Sequence, residues 1–292
     1  MIDVEFEPAE DQVVIYSEIS PAEGIELDLS ITAGIFASEG VQRPDDAQIF
    51  LSGTDLAAEA TAFIYSRNTN RYVLRNRDFR PSPGEQYSIS INFPDDTFQP
   101  INATTEIPLP VNISRAMVVD KNEITSSGGL VDIIFDVELE LGNSLNEETF
   151  LHIIPERIFS QYKIDANGEL RITFFAETEP LQVLNILDGH NAVGELIHQE
   201  GVYVDYSKLN GKNVKLRLST TTLLDPSIDI LESMEVTIRT LTKDLFEYHE
   251  SLHKQLINNA TPFTSPTATY TNVENAIGIF GGYSVSNSLI KL

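Results

Sequence analysis

The feature that most constrains the fold of this chain is an alternation of apolar and polar residues that recurs in many short segments. Apolar residues occupy every second position from 25 to 31, from 87 to 93 and from 133 to 141. Because successive side chains of a strand point to opposite faces, this period of two predicts half-buried β-strands. Weaker strand signals lie at 13–19, 48–52, 60–66, 72–75, 101–107, 162–164, 170–174, 214–218 and 234–238.

Two prolines divide these strands into two groups. Pro108 and Pro110 interrupt the pattern, because proline removes a ladder donor and disfavours helix in the residue before it. About seven short strands precede this break, which is typical of an immunoglobulin-like sandwich. We therefore predict a mostly β chain. An immunoglobulin- or fibronectin-like sandwich is expected at residues 1–107, followed by a larger antiparallel β domain, a sandwich or a barrel, at residues 108–292.

Two Asn-Gly pairs predict hairpins inside the second domain. Asn167-Gly168 and Asn210-Gly211 each stand beside strand signals. Both residue types tolerate positive φ, as two-residue hairpin turns require.

One amphipathic helix is predicted near the end of the second domain, at residues 243–258. Apolar residues recur there at spacings of three and four and form one stripe: Leu245, Tyr248, Leu252 and Leu256. Thr242 is a suitable N-cap, and Asp244 suits the positive end of the helix dipole. Asn258 and Pro262 are expected to end the helix.

This helix contains the pattern of a zinc protease, His249-Glu250-Ser251-Leu252-His253. Histidines four positions apart project from one helix face, where they can bind zinc while the glutamate acts as general base. The face includes Leu245, so both imidazoles are expected towards the interior.

Several residues depart from the zinc-protease pattern. Ser251 stands where zinc proteases carry an apolar residue, and Leu256 and Asn259 replace the glycine and histidine of the extended motif. Glu274, the available third ligand, lies in a glycine-rich tail rather than on a following helix. The pattern therefore favours packed or solvated histidines, with a structural or adventitious metal site and a working peptidase as alternatives. No catalytic, cofactor-binding or metal-ligating residue is assigned, and no cofactor is expected.

Other polar clusters are interpreted as turns. Residues 165–169 resemble a calcium loop, but glycine falls at the wrong position and no glutamate closes the loop. The aspartate pairs at 45–46 and 95–96 adjoin prolines, which favours solvated turns over calcium sites. Gly278, Gly281 and Gly282 lack the lysine of a phosphate loop and are expected to relieve crowding where a final strand turns. No Gly-x-Ser-x-Gly elbow is present.

The charge balance limits the possible partners. The chain has 44 acidic and 19 basic residues and a net charge of −25. Such a surface repels polyanions, so nucleic acid is not an expected partner. Without cysteine there is no disulfide or thiol chemistry. No apolar run reaches the roughly 18 to 20 residues that span a bilayer, and the first residues lack the features of a signal peptide.

Three segments resemble a large family of Bacteroidota outer-membrane lipoproteins of unknown function. They are the acidic, proline-containing lead and strand at 5–16, the segment 72–91, and the helix with the tail at 262–266 and 272–284. The resemblance implies a lipid anchor on a cysteine upstream of Met1, a place at the outer membrane and a gene often beside a TonB-dependent receptor. It implies no catalytic residues.

These observations together predict a non-enzymatic accessory or binding lipoprotein of the cell surface. Its expected partner is an outer-membrane transporter or another surface protein. Its membrane contact is expected only through the lipid anchor, on either side of the outer membrane. A zinc-dependent hydrolase using His249, Glu250 and His253 is the alternative from another class. A carbohydrate- or peptide-binding sandwich is a third, less favoured because the chain has no tryptophan, the residue that most often stacks on sugars.

Overall fold

The computed structural model describes residues 11–32, 41–54, 56, 61–94, 97–126, 128–142, 148–164, 167, 170–186, 196–198, 201–208, 215–259 and 268–292. The chain forms two compact units. The first unit contains Met1–Leu109 and Thr242–Ser284, and the second contains Pro110–Leu241 and Val285–Leu292.

The first unit is built from β-strands and one α-helix. Its elements are β1 (Val13–Ser20), β2 (Gly24–Ile31), β3 (Gln48–Gly53), β4 (Phe63–Ser66), β5 (Arg71–Leu74), β6 (Gln86–Asn92), β7 (Ile101–Glu106), α1 (Lys243–Asn259) and the first part of β17 (Ile277–Lys291). One sheet has the order β3-β6-β7, and the other has the order β17-β1-β2-β5-β4. All pairs are antiparallel except β1 with β17, which is parallel.

The two sheets of the first unit enclose a core of alternating apolar residues. Both sheets contribute to it, through Ile15, Leu27, Leu29, Ile49, Leu51, Tyr72, Tyr87, Ile89, Ile91 and Phe280. The predicted N-terminal sandwich is therefore confirmed, because the residues that alternate in the sequence are the ones buried between the sheets.

The second unit is also a β-sandwich. Its elements are β8 (Ile113–Thr125), β9 (Val131–Leu141), β10 (Phe150–Ile164), β11 (Leu170–Pro180), β12 (Gln182–Ile186), β13 (Leu196–His198), β14 (Gly201–Asp205), a short 3-10 helix (Tyr206–Lys208), β15 (Lys215–Leu224), β16 (Asp229–Leu241) and the end of β17. One sheet has the order β12-β15-β9-β8, and another contains β13-β14-β10-β16 with β11 beside β10. Residues of both sheets share one core.

Strands β10 and β11 pair antiparallel as far as Ile164 and Leu170, as a hairpin requires. The predicted two-residue turn at Asn167-Gly168 stays a prediction, because Gly168 lies outside the described residues. The hairpin predicted at Asn210-Gly211 lies outside the described residues.

The prediction of a mostly β chain with one packed C-terminal helix is confirmed, and α1 is the single α-helix in the part of the chain that the structure describes. The sequence division at 107/108 placed this helix in the second domain, whereas it packs in the first unit with residues 1–109. The physical reason is that β17 pairs with β1 and brings the end of the chain back to the first sandwich. No described helix is long and apolar enough to cross a membrane.

Candidate functional site

Helix α1 begins at its predicted cap. The amide of Leu245 donates to Oγ1 of Thr242 at 3.4 Å, and the amide of Phe246 donates to the Thr242 carbonyl at 3.1 Å. Leu245 and Phe246 are buried, as their place on the apolar face predicts. Leu256 was predicted on the same stripe, and this prediction is wrong, because its side chain is 64% exposed. The helix therefore packs through its N-terminal half.

Glycines allow β17 to run close to its neighbours. In the parallel register Gly278 lies opposite Ile15, and its φ of 124° is unfavourable for any other residue. A Cβ on Gly278 would overlap the Ile15 carbonyl, and one on Gly281 would lie 2.8 Å from Leu245 of the helix. The prediction that these glycines relieve crowding at a final strand is confirmed.

Residues 268–273 fasten α1 to β17. The Tyr270 hydroxyl donates to Asp244 at 2.5 Å, and the Tyr270 amide donates to Oγ of Ser251 at 2.9 Å. Asn272 binds both the amide and the carbonyl of Phe280, at 3.0 and 2.9 Å. Burial and the hydrogen bond to Asp244 raise the pKa of Tyr270, so its phenol stays a donor. Ser251, polar where zinc proteases are apolar, thus has a structural role.

The side chains of the zinc-protease pattern bind different partners. Nε2 of His249 lies 3.5 Å from Oε1 of Glu18 on β1, and Glu250 forms an ion pair of 2.8 Å with Lys254. His253 is partly buried. Among the described residues, no three histidine, aspartate or glutamate side chains are grouped so that they could hold a metal. The structure therefore gives His249 and Glu250 different partners.

His249 belongs instead to a small cluster with strand β1. The Tyr16 hydroxyl donates to the same Glu18 oxygen at 2.5 Å, and the rings of Tyr16 and Tyr248 lie 5.9 Å apart. The side chains of His249 and Glu18 are only 21% and 20% exposed. Burial, with the negative charge of Glu18, raises the pKa of Tyr248. The cluster fixes Glu18 on the outer face of the sheet that contains β1.

A cleft of about 290 Å³ opens on this face and is called the acidic cleft. Its walls come from β1, β2, β5 and β17: Tyr16, Glu18, Glu23, Gly24, Ile25, Glu26, Asp28, Arg71 and Tyr283. Nη1 of Arg71 lies 3.2 Å from Glu26, and its Nε lies 3.9 Å from Asp28. Four carboxylates against one guanidinium give the walls a formal charge of −3. Such a concave surface favours a cationic group.

A second cleft of about 330 Å³ adjoins the first and is called the arginine cleft. Its walls come from the start of β2, the β4–β5 turn and the loop after β5: Glu23, Gly24, Ile25, Glu26, Ser66, Asn68, Thr69, Val73, Leu74, Asn76, Arg77, Phe79 and Arg80. The apolar residues and Gly24 are buried or partly buried beneath an exposed polar rim. Phe79 packs edge-on against the buried Tyr87, with ring centres 6.1 Å apart.

The acidic pair at 45–46 does not line either cleft. Asp45 pairs with Arg67 at 3.7 Å, and both side chains are exposed, as expected of a solvated turn. The pair at 95–96 and all of residues 165–169 except Asn167 lie outside the described residues.

The sequence did not single out the residues that line the clefts. Arg71, Arg77 and Arg80 belong to the stretch 71–80, which contains four of the 19 basic residues of the chain. This local concentration of positive charge in an acidic chain is the signal that identifies the region. Tyr283 carried no such signal, because it reaches the acidic cleft only through the pairing of β17 with β1.

Comparison with known proteins gives a family but no activity. No curated protein matches the chain. A chain from a solved structure entitled "Complete structure of manganese lipoxygenase of Gaeumannomyces graminis and partial structure of zonadhesin of Komagataella pastoris" is 10% identical, with 80% of this chain and 89% of that chain covered. Its TM-score of 0.19 carries no argument about fold or function. The family model for "Domain of unknown function (DUF4249)" matches residues 1–288, and the chain therefore belongs to that family.

Proposed function

We propose that this protein is a non-enzymatic binding protein of the cell surface that holds a cationic group of a partner in the acidic cleft. The observation that carries the proposal is the cleft itself, whose four carboxylates and one guanidinium line a concave surface. Tyr16, 37% exposed, adds an aromatic face at which a lysine or arginine gains cation–π contact. In the zinc-protease pattern, His249 contacts Glu18 and Glu250 pairs with Lys254. These contacts support a non-enzymatic role, because both side chains have protein partners.

The compartment in this proposal is the outer membrane, reached through a lipid anchor upstream of Met1. The resemblance of the segments at 5–16, 72–91 and 262–284 to Bacteroidota outer-membrane lipoproteins supports it. The same resemblance makes an outer-membrane transporter of the TonB-dependent class the proposed partner. A strongly acidic surface is unsuited to direct adsorption on anionic lipid, so the anchor would supply the membrane contact.

Site-specific photo-crosslinking in the native host tests the partner. The anchored full-length protein carries a benzoylphenylalanine at Tyr16, in the acidic cleft, or at Phe50, on the other sheet of the same unit. The two side chains are comparably exposed, 37% and 45%, so they form a matched pair. Crosslinking to an outer-membrane protein is expected from position 16 and not from position 50.

The charge of the cleft is tested with the same crosslinker. Replacing Glu26 and Asp28 by the neutral amides should abolish the adduct at Tyr16, because both carboxylates line the cleft. Replacing Asp120 and Glu123 in the second unit removes the same charge elsewhere and should leave the adduct intact. An adduct that survives the first double substitution, or that forms equally from Phe50, contradicts the proposal.

Metabolic labelling with a fatty acid, followed by membrane fractionation, tests the anchor. The full-length protein is expected to carry the label and to sediment with the outer membrane. An unlabelled protein in the soluble fraction would refute the proposed localisation.

A further inference from the structure

Arg77 and Arg80 of the arginine cleft, like Arg75 outside it, differ from three other arginines of the first unit. Arg43, Arg67 and Arg71 each lie within 3.2 to 3.7 Å of a carboxylate oxygen. In the described part of the chain, the guanidinium groups of Arg77 and Arg80 form no ion pair, although acidic residues outnumber basic ones more than twofold. Both line the same cleft. With Glu23 and Glu26 in the same lining, the formal charge of this cleft is zero, whereas that of the acidic cleft is −3.

The Arg80 guanidinium is held in place by the backbone. Its Nη1 donates to the carbonyl of Arg77 at 2.7 Å and to the carbonyl of Phe79 at 2.9 Å. These bonds use one nitrogen and orient the planar group, while Nε and Nη2 have no protein acceptor among the described residues. An arginine fixed in this way loses less side-chain entropy on binding, and the Nε–Nη2 edge matches the two oxygens of a carboxylate or phosphate.

The other rim residues suit hydroxyl groups. The Asn76 side-chain oxygen accepts the amide of Asp78 at 3.2 Å, which fixes its amide group. Asn68 and Thr69 come from the β4–β5 turn, and Glu23 comes from the β1–β2 turn. Amide and hydroxyl groups both donate to and accept from sugar hydroxyls, and a carboxylate accepts from them. The volume of about 330 Å³ falls at the lower end of small-ligand sites.

From these contacts we propose that the arginine cleft binds a small ligand with one oxyanion, a carboxylate or a phosphate, on a hydroxyl-rich body such as a pyranose. The oxyanion lies against Arg77 and Arg80, and the hydroxyl groups face the asparagines and Glu23. Direct contact with two guanidinium groups offsets the nearby charges of Glu23 and Glu26, and the rest of the net charge of −25 is screened within about 8 Å at physiological salt. The ligand class rests on the proposed binding function but is independent of the anchor and the transporter.

Three probes with the same pyranose ring test the site by calorimetry on the intact chain. Glucuronate carries a carboxylate, glucose 6-phosphate carries a phosphate, and glucose carries neither. At least one anionic sugar is expected to bind more tightly than glucose, and the better one identifies the oxyanion. If neither anion binds, or if glucose binds as tightly as both, the proposal is overturned.

Substitution of Arg77 shows whether binding uses this cleft. Its side chain makes no hydrogen bond or ion pair to the described protein, so Arg77→Gln should fold normally and should weaken the anionic sugar about tenfold or more. Arg75→Gln is the matched control, because Arg75 is exposed, belongs to the same stretch and does not line the cleft. Equal affinity in Arg77→Gln, or an equal loss in Arg75→Gln, overturns the proposal. Failure of the crosslinking or labelling experiments would leave this result unaffected.

Discussion

Replacing Gly281 by alanine tests the packing of α1 on β17 at its tightest point. The new Cβ would lie 2.8 Å from both Cβ and Cδ1 of Leu245, whose side chain is only 1% exposed. Ordinary carbon contacts are about 3.5 to 4.0 Å, so the helix must move outwards. Overpacking of this kind costs about 1 to 3 kcal/mol. The φ of Gly281 is not in the left-handed region, so the cost should be steric alone.

Truncation of Leu245 provides the second arm of a double-mutant cycle. Leu245→Ala by itself should cost about 2 to 5 kcal/mol, because it leaves a cavity at a buried site. It also removes Cγ and Cδ1, two of the three atoms nearest to the new methyl group, while Cβ stays. The double variant should therefore be more stable than the sum of the single effects by about 0.5 to 1 kcal/mol.

Urea denaturation followed by circular dichroism measures all four corners of this cycle. Gly278→Ala supplies the contrast, since its new Cβ meets the Ile15 backbone at a φ of 124° and should cost about 3 kcal/mol or more with no relief from Leu245→Ala. Gly128→Ala, whose nearest atom is 3.8 Å away, should stay within about 0.5 kcal/mol. Strict additivity between Gly281 and Leu245 would refute the close packing of helix and strand.

Three further predictions concern hydrogen bonds, pH and metal. Tyr270→Phe removes the 2.5 Å bond to Asp244 and should lower the unfolding free energy by about 1.5 to 3 kcal/mol in urea titration; an unchanged midpoint would contradict the fastening role. Burial raises the pKa of Tyr72 from 10.0 to about 12, so the fold favours the neutral phenol. Its stabilisation is complete below pH 10 and is lost as pH rises towards 12, by roughly 2 to 3 kcal/mol. Tyr72→Phe should flatten this slope, and an equal slope would refute the prediction. Protein prepared without chelators should contain no stoichiometric zinc by elemental analysis. Stoichiometric zinc that is absent from the His253→Ala variant would instead support the zinc-dependent hydrolase.

The strands that the sequence predicted well are those with one buried and one partly solvated face. Along β9, buried residues alternate with half-exposed ones from Ile133 to Leu141, so each position carries information about its face. Strand β8 was missed because most of its 13 residues are exposed on both faces, and such a strand has no apolar period. Its place beside β9 is set by the long-range pairing between them.

Strand β17 was predicted only as a final strand at its glycines, and its bounds could not be predicted, for the opposite reason. Seven successive residues, Gly278 to Ser284, are buried, so burial does not alternate. Three of them are glycines, which have low strand propensity when judged locally. Their purpose becomes visible only when Ile15, Glu106 and Leu245 are placed around them by the fold. Glycine is needed at these positions because segments distant in the sequence come close to them. No local pattern contains that information.

The zinc-protease pattern shows the same limit for a site. Helical geometry places His249 and His253 on one face, as the spacing predicts. What a histidine does there depends on the residue that meets it, and Glu18 of β1 comes from the other end of the chain. Periodicity therefore gives the direction of a side chain, while the tertiary fold decides whether it meets a metal, a carboxylate or solvent.

The family resemblance is strongest in the tail, whose residues stabilise the fold. It therefore gives information about architecture rather than about ligands. In the tail at 272–284, Asn272 binds the backbone of Phe280, and Gly278 and Gly281 admit β1 and α1. Each of these roles is structural, so members that share the tail should share the architecture. The binding that we propose would use other residues, in the clefts that β2 and the stretch 71–80 line. Ligand preference within the family should therefore follow the identity of residues such as Arg77, whatever the tail contains.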